Sequence, residues 1–229
     1  MNDPRVNATS APCAFGKNWS SHCRRDPCLA VGARFVQNVE VFDIDAFLAD
    51  LADTVDETDP RHAAKEVVDR AMRAPQAIAD AISPTEGGIT MLCNRPDLTV
   101  INVAWAPGMQ VMPHDHRMWA IIGIYAGAEA NQFFTRGEDG TLVERPGRLL
   151  ETGDVCVLGS DTIHAVSNPA DRITGAIHVY GGDFVNEPRS QWGPGDLVER
   201  PYDMTDIERQ FHEANVAAGL KTSSGRGGT

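Results

Sequence analysis

Basic residues are scarce in this chain relative to acidic ones. Among its 229 residues, 20 lysines and arginines stand against 32 aspartates and glutamates, which gives a formal net charge of −12. Nucleic acids and anionic membrane surfaces both select for clustered Lys and Arg. We therefore expect a small-molecule partner, and neither a nucleic acid nor a membrane.

Long apolar runs are also missing. The longest nearly apolar stretch, 119–128, contains glycines and is much shorter than a transmembrane helix. It predicts a buried strand instead. The first residues contain no basic segment followed by an apolar one, which argues against a secretory signal. We expect a cytoplasmic protein that acts as a monomer or a homodimer.

Cysteines are few, and their odd number, five, does not indicate a disulfide framework. Cys93 and Cys156 lie in apolar, strand-like runs, which favours reduced thiols. Residues 1–32 show no periodicity and are interpreted as a disordered extension. This extension contains three further cysteines whose spacing matches no paired zinc motif, and whose role the sequence leaves open: Cys13, Cys23 and Cys28.

Helical periodicity follows in residues 33–87, which are interpreted as a helical subdomain packed on one edge or face of a sheet. One amphipathic helix begins after Asp43, which can cap it. A second is predicted over 61–73, and a short third from Pro75, at the first turn, to about Ile82.

Between residues 88 and 200 the pattern changes to short strands separated by turn residues, which predicts a sandwich or barrel, with a jelly roll as one solution. Residues 201–229 predict a terminal helix and a flexible tail. The fold class is therefore mainly β with flanking helices. The predicted strands are Ile89–Cys93, Thr99–Trp105, Val111–His116, Ala120–Tyr125, Ala130–Arg136, Gly147–Glu151, Asp154–Leu158, Ala165–Ser167 and Thr174–Tyr180.

A metal site is the leading functional hypothesis. His114 and His116 are two residues apart on a predicted strand and so present their imidazoles on one face. A third histidine from a neighbouring antiparallel strand would complete one face of such a site. Neutral imidazole suits iron, zinc, copper or nickel, and three ligands on one face leave positions open for substrate.

Two spaced motifs resemble those of the cupin superfamily. The first combines Gly108 with His114-Asp115-His116, and the second runs from Gly153 through Thr162-Ile163-His164 to Asn168. The resemblance implies a double-stranded β-helix with His114, His116 and His164 holding a metal at its mouth. Many cupins add a glutamate ligand shortly after the second histidine, where this chain has Ala120 and Ile121.

Glu129 is too far along the chain to replace that ligand, so the site is expected to consist of neutral histidines only. Such a site leaves the full dipositive charge on the metal. An anionic substrate donor, such as a thiolate or a carboxylate, is therefore favoured.

A closer similarity is to the bacterial thiol dioxygenases, which include cysteine and 3-mercaptopropionate dioxygenases. It is based on His114-Asp115-His116 followed by Trp119, and on the later segment 177–182, Ile-His-Val-Tyr-Gly-Gly. The resemblance implies Fe(II) as cofactor and the oxidation of a small thiol by O2 to a sulfinate. It also implies that His178 and Tyr180, which share one strand face, assist the reaction. Taken alone, the pair could be an ordinary core histidine and a buried aromatic residue.

The chain departs from that family in two ways. Ala176 stands where a serine usually precedes the outer histidine, and the strand over 89–93 lacks the arginine that binds a substrate carboxylate. We take Arg189 as the first candidate for that function and Arg117 as the second, because a planar guanidinium suits a carboxylate. A solvated surface arginine is the alternative for either.

Trp119 is predicted to line the barrel and shape the pocket, with simple core packing as the alternative. Two other functions remain open. One is a different cupin metalloenzyme, such as a carbon–carbon-cleaving oxygenase or an isomerase. The other is a non-enzymatic cupin that binds a small ligand.

Overall fold

The computed structural model describes residues 41–138, 141–193, 195 and 197–221. The predicted extension over residues 1–32, with Cys13, Cys23 and Cys28, lies outside the described residues, as does the tail beyond residue 221. Within them, Cys93 and Cys156 are free thiols, as predicted.

Three helices precede the first strand, as the periodicity predicts. Helix α1 spans Ile44–Asp53, and the Asp43 side chain caps it by accepting a hydrogen bond from the Ala46 amide at 3.0 Å. Helix α2 spans Pro60–Ala71, and α3 spans Pro75–Ile82 with proline in its first turn. A short 3-10 helix at Thr54–Asp56, which was not predicted, follows α1 directly.

The strands begin at residue 88, and each predicted strand is present with shifts of at most two residues at its ends, except that the strand predicted from Gly147 begins five residues earlier, at Leu142. Two further strands, β10 and β11, were not predicted. The strands are β1 (Gly88–Asn94), β2 (Thr99–Trp105), β3 (Gln110–Asp115), β4 (Ala120–Ala126), β5 (Ala128–Arg136), β6 (Leu142–Glu151), β7 (Val155–Leu158), β8 (Ile163–Ser167), β9 (Thr174–Tyr180), β10 (Ser190–Trp192) and β11 (Glu199–Pro201).

These strands form two antiparallel sheets. One has the order β1-β2-β9-β4-β7, and the other has the order β11-β10-β3-β8-β5-β6. Neighbours such as β2 and β9 are distant in sequence, which is the crossover pattern of a jelly roll. The predicted fold class, a mainly β double-stranded β-helix with helices before and after the barrel, is therefore confirmed.

Alternate residues of the five-stranded sheet face two different cores. On β4, Ala120, Ile122 and Ile124 point into the barrel interior, whereas Ile121 and Tyr125 pack with the core residues of α1, α2 and α3. This alternation follows from the two-residue period of a strand. The N-terminal helices therefore cover the outer face of this sheet, one of the two placements predicted.

Helix α4 spans Met204–Ala217 and was predicted as a terminal helix. Ile207 and Phe211 pack into the barrel core, and the Phe211 ring stacks on Trp105 with centroids 5.5 Å apart. The chain segment that leads to this helix forms β10, which pairs with β3, and β11, which pairs with β10 at the edge of the sheet. None of the helices in the described ranges is long and apolar enough to cross a bilayer.

Candidate metal centre

Three histidines from two strands converge inside the barrel. His114 lies on β3 and pairs in register with His164 on the antiparallel strand β8. His116 follows the end of β3, two residues further along the chain. One ligand nitrogen from each of the three lies within 4.8 Å of the others. The predicted trio is thus brought together.

Hydrogen bonds fix the tautomers of two of these imidazoles. His114 Nδ1 lies 3.0 Å from the Met112 carbonyl, and His164 Nδ1 lies 2.7 Å from Asn131 Oδ1. A carbonyl oxygen only accepts, so both Nδ1 atoms donate, and both Nε2 atoms are left with a lone pair. Outer contacts of this kind orient histidine ligands in metalloproteins.

The three imidazoles are buried, and burial keeps them neutral. It lowers the pKa of His114 to about 4 and holds the pKa values of His116 and His164 well below their ordinary value. A neutral imidazole has the lone pair that a metal needs.

The donor set therefore fits a divalent transition metal. His116 Nε2 and His164 Nε2 face each other at 3.3 Å, and His116 Nδ1 is buried without a hydrogen-bond partner among the described residues. A cation shared by the two Nε2 atoms would account for their close approach. The cluster could hold a metal ion, but imidazole ligands alone do not select which one.

A second pair of polar side chains faces the same cavity. His178 and Tyr180 share the interior face of β9, and His178 Nδ1 lies 3.1 Å from the Tyr180 hydroxyl. The Tyr180 ring meets the His116 ring edge-on, with centroids 5.1 Å apart. Burial raises the pKa of Tyr180 above its ordinary value, which keeps the hydroxyl protonated.

Glu129 is a buried residue near the centre whose contacts the sequence did not reveal. Its carboxylate accepts hydrogen bonds from Trp105 Nε1 at 2.7 Å and from Asn131 Nδ2 at 2.9 Å. His178 Nε2 lies 3.4 Å from Glu129 Oε2, a close electrostatic contact that is longer than an ideal hydrogen bond. These polar contacts outweigh the cost of burial, so the pKa of Glu129 lies below its ordinary value. The carboxylate is therefore ionised at neutral pH.

The histidines and Tyr180 line a small cavity of about 30 Å³. That volume admits a water molecule. The remaining wall is mostly aliphatic and aromatic, and no arginine, lysine or carboxylate of the described residues contributes to it. It is formed by Ile89, Ile101, Val103, Trp105, Val111, Val166, His178, Phe184, Tyr202 and Ile207.

Arg189 is buried just outside this cavity. Its guanidinium carbon lies 3.8 Å from the centre of the Phe184 ring and 4.1 Å from that of the Tyr202 ring, and both rings line the cavity. One nitrogen donates to the Phe184 carbonyl, while Nε has no hydrogen-bond partner among the residues that the structure describes. Within the described residues no carboxylate pairs with this buried cation.

Arg117, the second candidate for carboxylate binding, is not brought to the cavity. It occupies the turn after β3 with a positive φ of 59°, and its side chain is partly exposed. There it forms an ion pair with Asp115 at 2.8 Å. Asp115 also accepts a hydrogen bond from the Ser190 amide at 2.7 Å, so the two residues anchor β10 to β3.

Trp119, predicted to line the barrel, packs instead with the core between sheet and helices. The reason is that side chains alternate between the two faces of a strand. Ala120 points into the barrel, so Trp119, like Ile121, points to the opposite side, toward the helices. Its role as a substrate contact gains no support from this position.

Cupins are among the solved structures that are similar to this chain. No protein-family model matches the sequence. A cupin family protein with a double-stranded β-helix fold from Methanocaldococcus jannaschii is 11% identical, with a TM-score of 0.38, and the match covers 45% of this chain and 86% of that one. A cupin superfamily protein from Desulfitobacterium hafniense is 16% identical, with a TM-score of 0.38 and coverage of 46% and 88%.

One enzyme among these structures is the DMSP lyase DddQ from Ruegeria pomeroyi. It is 22% identical, with a TM-score of 0.36, and the match covers 45% of this chain and 50% of that one. At these identities and TM-scores the likenesses carry no information about activity. The fold assignment depends on the strand order and pairing described above.

Proposed function

We propose that the protein is an iron(II)-dependent dioxygenase that oxidises a small thiol to a sulfinate with O2. The observation that carries the proposal is the position of Tyr180 and His178 on the wall of the same cavity as the three clustered histidines. Both atoms of O2 are added to the thiol sulfur, so the reaction needs no external reductant.

Fe(II) held by His114, His116 and His164 would supply open coordination positions for a thiolate and for O2. The three imidazoles are neutral and contribute no negative charge. An anionic sulfur is the better donor for such a site, which is the reason to propose a thiol substrate.

Tyr180 is proposed to donate a hydrogen bond or a proton to the reacting oxygen. Its raised pKa keeps the hydroxyl proton available at neutral pH, and the contact with His178 Nδ1 fixes the hydroxyl position. A neutral His178 accepts from the hydroxyl, whereas a doubly protonated His178 donates to it and frees the hydroxyl hydrogen to point into the cavity.

Arg189 is proposed to bind a carboxylate on the substrate, as in a mercapto acid such as cysteine or 3-mercaptopropionate. Its guanidinium is buried, has an unpartnered Nε and packs on the Phe184 and Tyr202 rings of the cavity wall. A buried cation is stabilised strongly by an anionic partner. Because the cavity measures only about 30 Å³, binding of such a substrate requires these rings to move.

The direct test is thiol-dependent O2 consumption. Metal-free protein is loaded anaerobically with Fe(II) and then exposed to O2 with a panel of thiols, some with a carboxylate and some without. The proposal predicts O2 uptake with at least one thiol and a sulfinate product detected by mass spectrometry. Absence of uptake across the panel with iron fully loaded would overturn it.

A second candidate is a different cupin metalloenzyme, and the apolar cavity wall is the observation in its favour. Among the described residues no arginine, lysine or carboxylate lines that cavity, so a less polar carbon substrate would also suit the site. The metal in natively purified protein discriminates between the two. Iron favours oxygenation, whereas tightly held zinc, nickel or manganese favours an isomerase.

A non-enzymatic ligand-binding role is tested by removing one metal ligand. If the His164→Ala protein binds its small ligand as well as the native protein does, without any metal, the metal is not part of the function.

A further inference from the structure

Glu129 has an unusual position for a carboxylate. It lies on β5 inside the barrel, with no exposed surface. An ionised carboxylate in such a place needs several donors to offset the loss of water. Here the surroundings are Trp105 Nε1, Asn131 Nδ2 and the imidazole of His178.

The first connection of Glu129 leads to the metal centre. Asn131 Nδ2 donates to Glu129 Oε1, and because a carboxylate only accepts, this contact fixes which end of the amide faces the glutamate. The other end, Oδ1, then accepts from His164 Nδ1 at 2.7 Å. His164 is consequently held with Nε2 bare and directed at the other imidazoles.

The second connection leads to Tyr180. Glu129 Oε2 lies 3.4 Å from His178 Nε2, an electrostatic contact in which Nε2 makes no hydrogen bond to any described residue, and His178 Nδ1 lies 3.1 Å from the Tyr180 hydroxyl. A carboxylate favours a hydrogen on the nitrogen that faces it, so Glu129 favours the His178 tautomer or ion with Nε2–H. Nδ1 is thereby directed to Tyr180.

We propose that Glu129 is a positioning residue whose single carboxylate orients both His164, through Asn131, and His178. The negative charge of Glu129 is thus connected to the three-histidine site through the hydrogen bonds of one ligand, His164. The carboxylate does not bind the metal itself. Trp105, which donates to the same carboxylate from β2, holds Glu129 in place. The proposal depends on the metal centre but not on the reaction proposed for it.

The test uses zinc as the probe metal and two measurements that do not involve turnover. The first is the zinc affinity of metal-free protein, measured by competition with a chromophoric chelator. The second is the tautomer of His178, read from long-range proton–nitrogen NMR spectra. For Glu129→Gln we expect a loss of zinc affinity of about 10-fold, the lower end of the effect of removing an outer contact of a histidine ligand, because Glu129 reaches His164 only through Asn131. We also expect the His178 nitrogen signals to change.

Asn131→Ala separates the two connections. It is expected to weaken zinc binding to a similar extent and to leave the His178 tautomer unchanged. Tyr125→Phe is the matched control, because it removes a different buried hydrogen bond, Tyr125 to Asn102 at 2.8 Å, and should alter neither measurement.

Unchanged zinc affinity in Glu129→Gln, or unchanged His178 signals, would overturn the proposal that Glu129 orients both His164 and His178. If Glu129→Gln does not fold, Glu129→Asp is measured instead, because it keeps the charge and shortens the side chain, and the same two measurements decide. Both can be made even if the protein oxidises no thiol, so failure of the proposed reaction and failure of this proposal are distinguishable.

Discussion

The Nε2 atoms of His116 and His164 lie 3.3 Å apart in the barrel interior. His164 Nε2 carries a lone pair, since its Nδ1 donates to Asn131. In the metal-free protein, a hydrogen on His116 Nε2 satisfies this contact. A bound cation would take the place of that hydrogen, so the two rings are already arranged for a shared metal ion.

His164→Ala is predicted to weaken metal binding by at least about 100-fold, because it removes a ligand and not merely an outer contact. Competition with a chelator under anaerobic conditions measures the change. The matched control is His62→Ala, since the His62 side chain is exposed on α2 and lies beside Glu66 on the same helix, away from the three clustered histidines. Equal metal affinities for the two variants would contradict the assignment of His164 as a ligand.

Tyr180→Phe is predicted to keep native metal affinity and to lower thiol-dependent O2 uptake by about 100-fold, because a donor to the reacting oxygen is lost. Steady-state O2 consumption measures this. Tyr125→Phe, which also removes a buried tyrosine hydroxyl, should retain native activity because that hydroxyl bonds to Asn102, outside the cavity. Full activity in Tyr180→Phe would remove Tyr180 from the mechanism.

Arg189→Lys is predicted to raise the KM for a mercapto acid by about tenfold, because a lysine cannot reproduce the planar, two-pronged contact with a carboxylate. The KM for a thiol without a carboxylate should stay close to the native value. Arg117→Gln, a change at the rival arginine, is predicted to leave both values unaltered, because Arg117 pairs with Asp115 outside the cavity. A raised KM for the mercapto acid in Arg117→Gln, with a native KM in Arg189→Lys, would show instead that Arg117 binds the substrate carboxylate.

The metal-free protein is predicted to lose stability as the pH falls from about 6.5 to about 4. Burial lowers the pKa of His114 from 6.5 to about 4 in the folded state and lowers those of His116 and His164 as well. In this window the unfolded chain binds more protons than the folded one, so the stability present above the unfolded pKa is lost as the pH falls.

Urea unfolding of metal-free protein at several pH values measures this dependence. Replacement of one titrating group, in His114→Gln, should make the free energy of unfolding depend less steeply on pH. Identical slopes for the native protein and this variant would show that His114 is not held neutral by burial.

Much of the barrel could be predicted from sequence because long strands have a clear period and end at turn residues. β2 and β9 were predicted at their observed bounds. β10 and β11 were missed because each has only three residues, too few for a period to be visible. Their place at the edge of the sheet, where β10 pairs with β3, is set by pairing between distant segments, which the local sequence pattern does not encode.

The metal ligands could be predicted because their spacing on strands brings them to one face. Glu129 was not recognised as an interior residue, because the predicted strand began at Ala130, whereas β5 begins at Ala128. The two-residue spacing of Glu129 and Asn131 was the available signal. The placements of Arg117 and Trp119 depend on the turn after β3 and on the parity of β4, neither of which the motif spacing specifies.

The metal content of protein loaded anaerobically with Fe(II) and freed of excess metal tests the three-histidine centre most directly. Elemental analysis should find one iron ion per chain, with none retained when His114, His116 and His164 are all replaced by alanine. A native protein that retains no iron, or a triple variant that retains as much as the native protein, would contradict the existence of this centre.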